Sequence, residues 1–138
     1  MSRPFRLRAE HAPESAVQDA ILRYLRFERR VAWAHRFNTG AHVIEDAAGR
    51  RYVRYAFAGC SDILGQLVNG AFLAIECKTA RGRAKPEQIA FLAQVEASGG
   101  LAILARSIDD VRDALDAFEI AESPRSPQPQ PRGVHDAC

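Results

Sequence analysis

Asp62-Ile63-Leu64-Gly65-Gln66-Leu67-Val68-Asn69-Gly70-Ala71-Phe72-Leu73-Ala74-Ile75-Glu76-Cys77-Lys78 reads as two apolar strands folded back on each other around Asn69-Gly70. Side chains alternate faces along a strand, so Glu76 and Lys78 project on one side and Leu73, Ile75 and Cys77 on the other. The second strand therefore has a chemical face and a core face. A two-residue Asn69-Gly70 turn would oppose Asp62 to Cys77 on the core side. A three-residue loop, Val68-Asn69-Gly70, with Gly70 left-handed in the bulge position, pairs Leu67 with Ala71. Asp62 then stands opposite Glu76, with β-carbons roughly 5 Å apart. The longer loop is the expectation. It gives one hydrated divalent cation two carboxylates with a lysine alongside, the equipment for hydrolysing a phosphodiester.

The chain of 138 residues, 47% of them hydrophobic, suits one globular domain with a single core. No apolar run is long enough to cross a bilayer, and Met1 to Arg8 carries basic residues with no apolar stretch behind them, so the expected setting is cytoplasmic. Cys60, Cys77 and Cys138 show no zinc-ribbon spacing and are odd in number; they are expected reduced, with Cys77 a small core filler. A net charge of +2 does not announce a nucleic-acid partner. Its distribution says more: guanidinium groups suited to phosphate gather at Arg50, Arg51 and Arg54, and at Arg81 and Arg83 with Lys85. Each cluster taken alone reads equally well as solvated surface. Phosphate-loop, zinc-protease and serine-elbow motifs are absent, and the four histidines lack ligand spacing.

Pro13 opens a helix whose Val17, Ile21, Tyr24 and Leu25 recur at helical spacing through about Arg29. Val31 to Phe37 reads as a strand, and residues around Val43 and Tyr52 to Phe57 as two more about a turn at Ala47-Ala48-Gly49. Pro86 starts a second helix with Ile89, Leu92 and Val95 as its apolar stripe, ended by Gly99-Gly100. Leu101 to Ala105 is then expected parallel to the Glu76 strand and buried on both faces. Ser107 and Asp110 cap a third helix carrying Val111, Ala114, Leu115 and Phe118. The expected organisation is a flexible basic N-terminus over residues 1–12, a domain over 13–120, and a Pro-rich disordered tail over 121–138.

Two polar residues occupy apolar stripes. Glu14 precedes Val17 by three and Ile21 by seven, and Gln88 has the same relation to Leu92 and Val95. Either they converge with Asp62 and Glu76, or Glu14 is an acid favoured by the helix dipole and Gln88 a surface amide. Arg36 and Asn38, ahead of Gly40, could likewise reach a phosphate or simply end a strand.

The succession Glu14, Arg36-Phe37-Asn38-Thr39-Gly40, Gly59-Cys60-Ser61-Asp62-Ile63-Leu64-Gly65, Ile75-Glu76-Cys77-Lys78-Thr79, Pro86-Glu87-Gln88 and Gly99-Gly100 resembles the VRR-NUC family of the PD-(D/E)xK nuclease superfamily. Ser61 stands where the superfamily motif has proline. The resemblance implies a restriction-endonuclease-like α/β fold, a mixed central β-sheet flanked by helices. It implies Mg²⁺ or Mn²⁺ held by Asp62, Glu76, the Cys77 backbone carbonyl and Glu14, with Lys78 positioning the attacking water and Gln88 orienting that lysine or the phosphate. Stand-alone relatives of this size, often phage-borne, resemble junction-resolving enzymes that work as homodimers in bacterial or phage-infected cells.

The residues and the resemblance together imply a Mg²⁺-dependent endonuclease, and the resemblance implies Holliday junctions or other branched DNA as its substrate. Arg36, Asn38, Arg51, Arg54, Arg81, Arg83 and Lys85 would contact the backbone without reading sequence. A restriction-type or exonucleolytic enzyme and a non-catalytic nucleic-acid-binding module are the alternatives; neither requires a membrane.

Overall fold

The computed structural model describes residues 12–37, 41–54 and 56–122. In chain order it contains α1 (Glu14–Leu25), β1 (Val31–Arg36), β2 (Ala41–Asp46), β3 (Gly49–Arg54), β4 (Ile63–Leu67), β5 (Phe72–Cys77), α2 (Pro86–Ala97), β6 (Leu101–Ala105) and α3 (Ile108–Glu122). The fold is α/β. A mixed four-stranded sheet runs β1-β4-β5-β6, β2 and β3 form a separate two-stranded sheet, and the arrangement with its three helices is compatible with a restriction-endonuclease-like fold.

The hairpin takes the three-residue loop. Ile63 pairs with Ile75 and Gln66 with Phe72, and the Leu67 N–H donates to Ala71 O at 2.8 Å. Gly70 closes the turn by donating to Leu67 O at 2.9 Å and holds φ at +92°, where an L side chain is strained. That register carries Asp62 to the position opposite Glu76. β5 then pairs in parallel with β6, Glu76 beside Leu104, and α2 makes the crossover between them.

Alternation splits the sheet's contacts into two layers. Leu73, Ile75 and Cys77 of β5 join Ile63 and Leu67 of β4 under Ile21 and Leu25 of α1 and Val111 and Leu115 of α3. On the opposite face Leu64 and Ala74 pack with Cys60 and with Val95 of α2. Cys60 and Cys77 thus lie in different layers, both buried as free thiols.

Several details depart from the periodicity. α1 stops at Leu25 rather than near Arg29, because the Phe27 and Glu28 N–H groups tighten onto Tyr24 O and Leu25 O, and the Glu28 side chain turns back to accept from the Arg30 N–H. Ile89 faces solvent, and the inward side of α2 is Phe91, Leu92 and Val95, with Phe91 edge-on to Phe57 at 4.9 Å. β6 is not buried on both faces: it is an edge strand and Leu104 is exposed. The β2–β3 turn is Ala47-Ala48, with Asp46 paired to Gly49, and β3 ends at Arg54, short of Phe57. α3 continues through Glu122, past the expected domain end at residue 120, so residues 121 and 122 are helical rather than tail. The rest of the tail and residues 1–11 lie outside the described residues. No helix among the described residues is long and apolar enough to cross a membrane.

Candidate active site

The polar face of β5 sits where the ends of four elements meet. Asp62 precedes β4, and its backbone oxygen accepts from the Phe37 N–H at 2.8 Å, extending the ladder past the end of β1. Its carboxylate Oδ2 accepts the Cys77 N–H at 2.8 Å, which fixes it across the end of β5. Gly59 brings the preceding loop close to α2: its φ is +84°, and an added β-carbon would stand 2.3 Å from Glu87 O. Only glycine fits there.

Glu76 is fully buried. Its Oε1 accepts from Gln88 Nε2 at 2.7 Å and lies 3.1 Å from Lys78 Nζ. Gln88 is itself tied down, because its Oε1 accepts the Lys85 N–H at 2.8 Å at the start of α2. Glu14, in the first turn of α1, has Oε2 3.8 Å from Lys78 Nζ. Both polar residues on apolar stripes therefore reach the same site, Gln88 at the buried acid and Glu14 at the amine.

Burial, and then the negative charge of Asp62, push the Glu76 carboxyl up to about 7, with Lys78 pulling the other way. At Lys78 burial disfavours the ammonium, but the hydrogen bond and charge of Glu76, with Glu14 and Asp62 behind it, outweigh this and raise its pKa overall. Cys77 is pushed up to about 12, by burial first and the surrounding acids next, so its thiol stays protonated. Glu76 Oε2 is buried with no hydrogen-bond partner among the described residues. A buried carboxylate oxygen without a donor, beside a second carboxylate, is a costly arrangement that a hard cation would relieve. The pair fits Mg²⁺ or Mn²⁺ on that ground. No group of three or more His, Cys, Asp or Glu side chains poised for a metal occurs among the described residues, and Glu14 reaches the site at Lys78.

The expected phosphate contacts are less concentrated. Arg81, Arg83 and Lys85 are exposed on the loop after β5, next to Lys78. Arg36 instead forms an ion pair with Asp19 of α1, and Arg51 pairs with Asp46 at 3.3 Å within the β2–β3 sheet. Arg54 closes β3, and Asn38 lies outside the described residues.

Arg106 carries no sequence signal of its own, and Ser61 is marked only as the residue at the motif's proline position. Arg106, just past β6, donates to Thr79 O and, at 2.7 Å, to Gly82 O, pinning the loop that bears Arg81 and Arg83. Ser61 is fully buried next to Asp62, and its hydroxyl has no hydrogen-bond partner among the described residues. Arg106 would be found only from the parallel pairing that brings the ends of β5 and β6 together, where the Lys78 N–H donates to Ala105 O at 3.0 Å. Comparisons with protein-family models, with curated proteins and with solved structures return no match to this chain.

Proposed function

We propose that this chain is a metal-dependent, structure-selective DNA endonuclease of the VRR-NUC type, acting on Holliday junctions or other branched DNA. The observation that carries the reading is the juxtaposition of Asp62 with a buried Glu76 whose Oε2 has no donor, and of Lys78 3.1 Å from the other oxygen of Glu76. A structural ion pair needs only one of those acids. Asp62 and Glu76 would hold the cation, with the Cys77 carbonyl as a further ligand; when bound, it supplies Lewis acidity for a water and for the phosphate.

The protein's own groups do the positioning. Lys78, kept charged by Glu76 and Glu14, presents an ammonium to an attacking water or a non-bridging phosphate oxygen and offsets negative charge that develops there. Gln88 fixes Glu76 Oε1, which leaves Oε2 as its free oxygen. The exposed Arg81, Arg83 and Lys85 bind the DNA backbone without sequence preference, so affinity falls steeply with salt. Two symmetry-related cuts in a four-way junction call for a homodimer of so small a domain.

The test is Mg²⁺-dependent cleavage of a panel of four-way junction, flap, fork, single-stranded and linear duplex DNA. The wild type should cut branched substrates best and stop in EDTA, and Glu76→Ala and Lys78→Ala should still bind branched DNA without cutting it. Preference for linear duplex would favour a restriction-type enzyme. Wild-type cleavage by either variant, indifferent to EDTA, would overturn the assignment.

A further inference from the structure

The sheet face that carries Asp62 and Glu76 is only partly covered. α2 packs over it through Val95 against Leu64 and Ala74, and β1, the edge strand beyond β4, lies outside that contact. On β1 the positions that share this face are Trp33, opposite Gln66, and His35, opposite Leu64. Phe37 continues the alternation, opposite Asp62, to which its N–H is bonded. Successive outward positions are therefore aromatic, and the row ends beside the first carboxylate.

The rings are exposed, Trp33 to 41% and Phe37 to 42%, and none lies within the buried core. Trp33 and His35 are also held in place. Trp33 Nε1 donates to Gln66 Oε1 at 3.1 Å, and Gln66 Nε2 donates to Gly70 O at 3.2 Å, which ties the indole to the hairpin turn. Trp33 and His35 stack with centroids 5.8 Å apart and planes at 28°. A preorganised aromatic surface of this kind loses little entropy when a flat ligand settles on it.

The geometry points to a base-stacking platform: unpaired nucleotides of single-stranded DNA, continuous with the strand to be cut, lie along Trp33, His35 and Phe37 and deliver the next phosphodiester to Asp62 and Glu76. This rests on the nuclease reading and narrows its substrate, among branched DNAs, to those with an unpaired segment beside the scissile bond, flaps and forks rather than a fully paired four-way junction. Alternate residues on a strand are about 6.8 Å apart, a spacing that lets successive splayed bases meet successive rings. Bases within a duplex have both faces occupied by their neighbours, so the platform selects single strands. A protein seated on the row would cover the Asp62 end of the site, whereas a nucleic-acid strand is what that end would act on.

Trp33 is the single tryptophan of the chain, so its emission reports the platform directly. The full chain in EDTA is titrated with a short oligothymidylate, with a blunt duplex of the same length, and with a duplex bearing a single-stranded arm. Saturable quenching by the oligothymidylate and the armed duplex, and not by the blunt one, is expected. Trp33→Leu and His35→Ala should each weaken binding of the armed duplex by about ten-fold, and Trp33→Phe, which keeps a ring, should restore most of it. Emission indifferent to oligothymidylate, or quenched equally by blunt duplex, overturns the platform. So does an emission change with protein concentration alone, which would place a second copy on β1. Quenching without any Mg²⁺-dependent cleavage would keep the platform and sink the nuclease reading, whereas cleavage without quenching would do the reverse.

Discussion

Glu28 and Glu76 lie at opposite ends of the same sheet with side chains 10% and 1% exposed, and the chain treats them in opposite ways. Glu28 is saturated: Oε1 accepts from the N–H and Nε of Arg30 at 3.1 and 2.9 Å, and Oε2 from Tyr24 at 2.6 Å and Arg30 Nη2 at 3.2 Å. Arg30 goes on to Asp116 at 2.7 Å, joining the turn after α1 to α3. Those hydrogen bonds, the ones from Arg30 foremost, hold the Glu28 carboxyl down at about 2. Glu76 has its side-chain donors on one oxygen, none on the other, and a carboxyl pushed up to about 7 by burial and by Asp62. One acid stabilises the fold. The other is held in a costly state that a cation would relieve, as the proposed metal site requires.

Exchanging the two acids for amides should separate those roles. Glu76→Gln should lower cleavage by about 10²- to 10³-fold or more. The melting temperature of the metal-free protein should be unchanged below about pH 4.5, where the acid is neutral folded and unfolded, and higher toward and above about pH 7, where the amide removes a held proton and then a buried charge. Glu28→Gln should do the opposite, costing about 2 to 3 kcal/mol in denaturant unfolding as Arg30 loses one of its charged partners, with cleavage per folded molecule intact. If Glu28→Gln abolished cleavage without destabilising the protein, the division would be wrong.

The next effect in size is on pH. In metal-free protein the folded state holds the Glu76 proton up to about 7 while the unfolded chain releases it near 4.5, so this group's contribution falls as pH rises through that window. Glu28 runs the other way: its contribution is complete above about 4.5 and is lost as pH falls toward 2. Thermal melts in EDTA, wild type against Glu76→Gln, should differ in slope between pH 5 and 7 and run parallel below pH 4. Parallel curves throughout would contradict the raised pKa. The smallest effect belongs to the loop clamp: Arg106→Ala should raise KM for DNA several-fold and leave kcat nearly unchanged, since Arg106 positions the segment bearing Arg81 and Arg83 and touches neither Asp62 nor Glu76.

How legible each end was follows from the range of the forces that shape it. Gly70 declares a left-handed loop position, and with strict alternation on β5 that fixes the register and the meeting of Asp62 with Glu76. Glu14 and Gln88 stand out because a polar residue on an apolar stripe needs a reason. The phase of α2 is hidden by the consecutive apolar Ile89, Ala90, Phe91 and Leu92, and it is packing against Cys60, Leu64 and Ala74 that selects Phe91, Leu92 and Val95 as the inward side. The Glu28–Arg30 cluster is equally silent, because one of its partners, Asp116, is 86 residues away in the chain. Trp33, His35 and Phe37 read as an ordinary half-buried strand, since their exposure depends on which strands α2 covers.

Calorimetric titration of Mn²⁺ at pH 7, in two buffers of different ionisation enthalpy, bears most directly on the claim that Asp62 and Glu76 are arranged for a cation. Saturable binding accompanied by proton release is expected, because the raised Glu76 carboxyl must give up its proton to become a ligand, with binding weakened in Asp62→Asn and proton release lost in Glu76→Gln. Equal Mn²⁺ binding by the wild type and both variants, or none by the wild type, would contradict it.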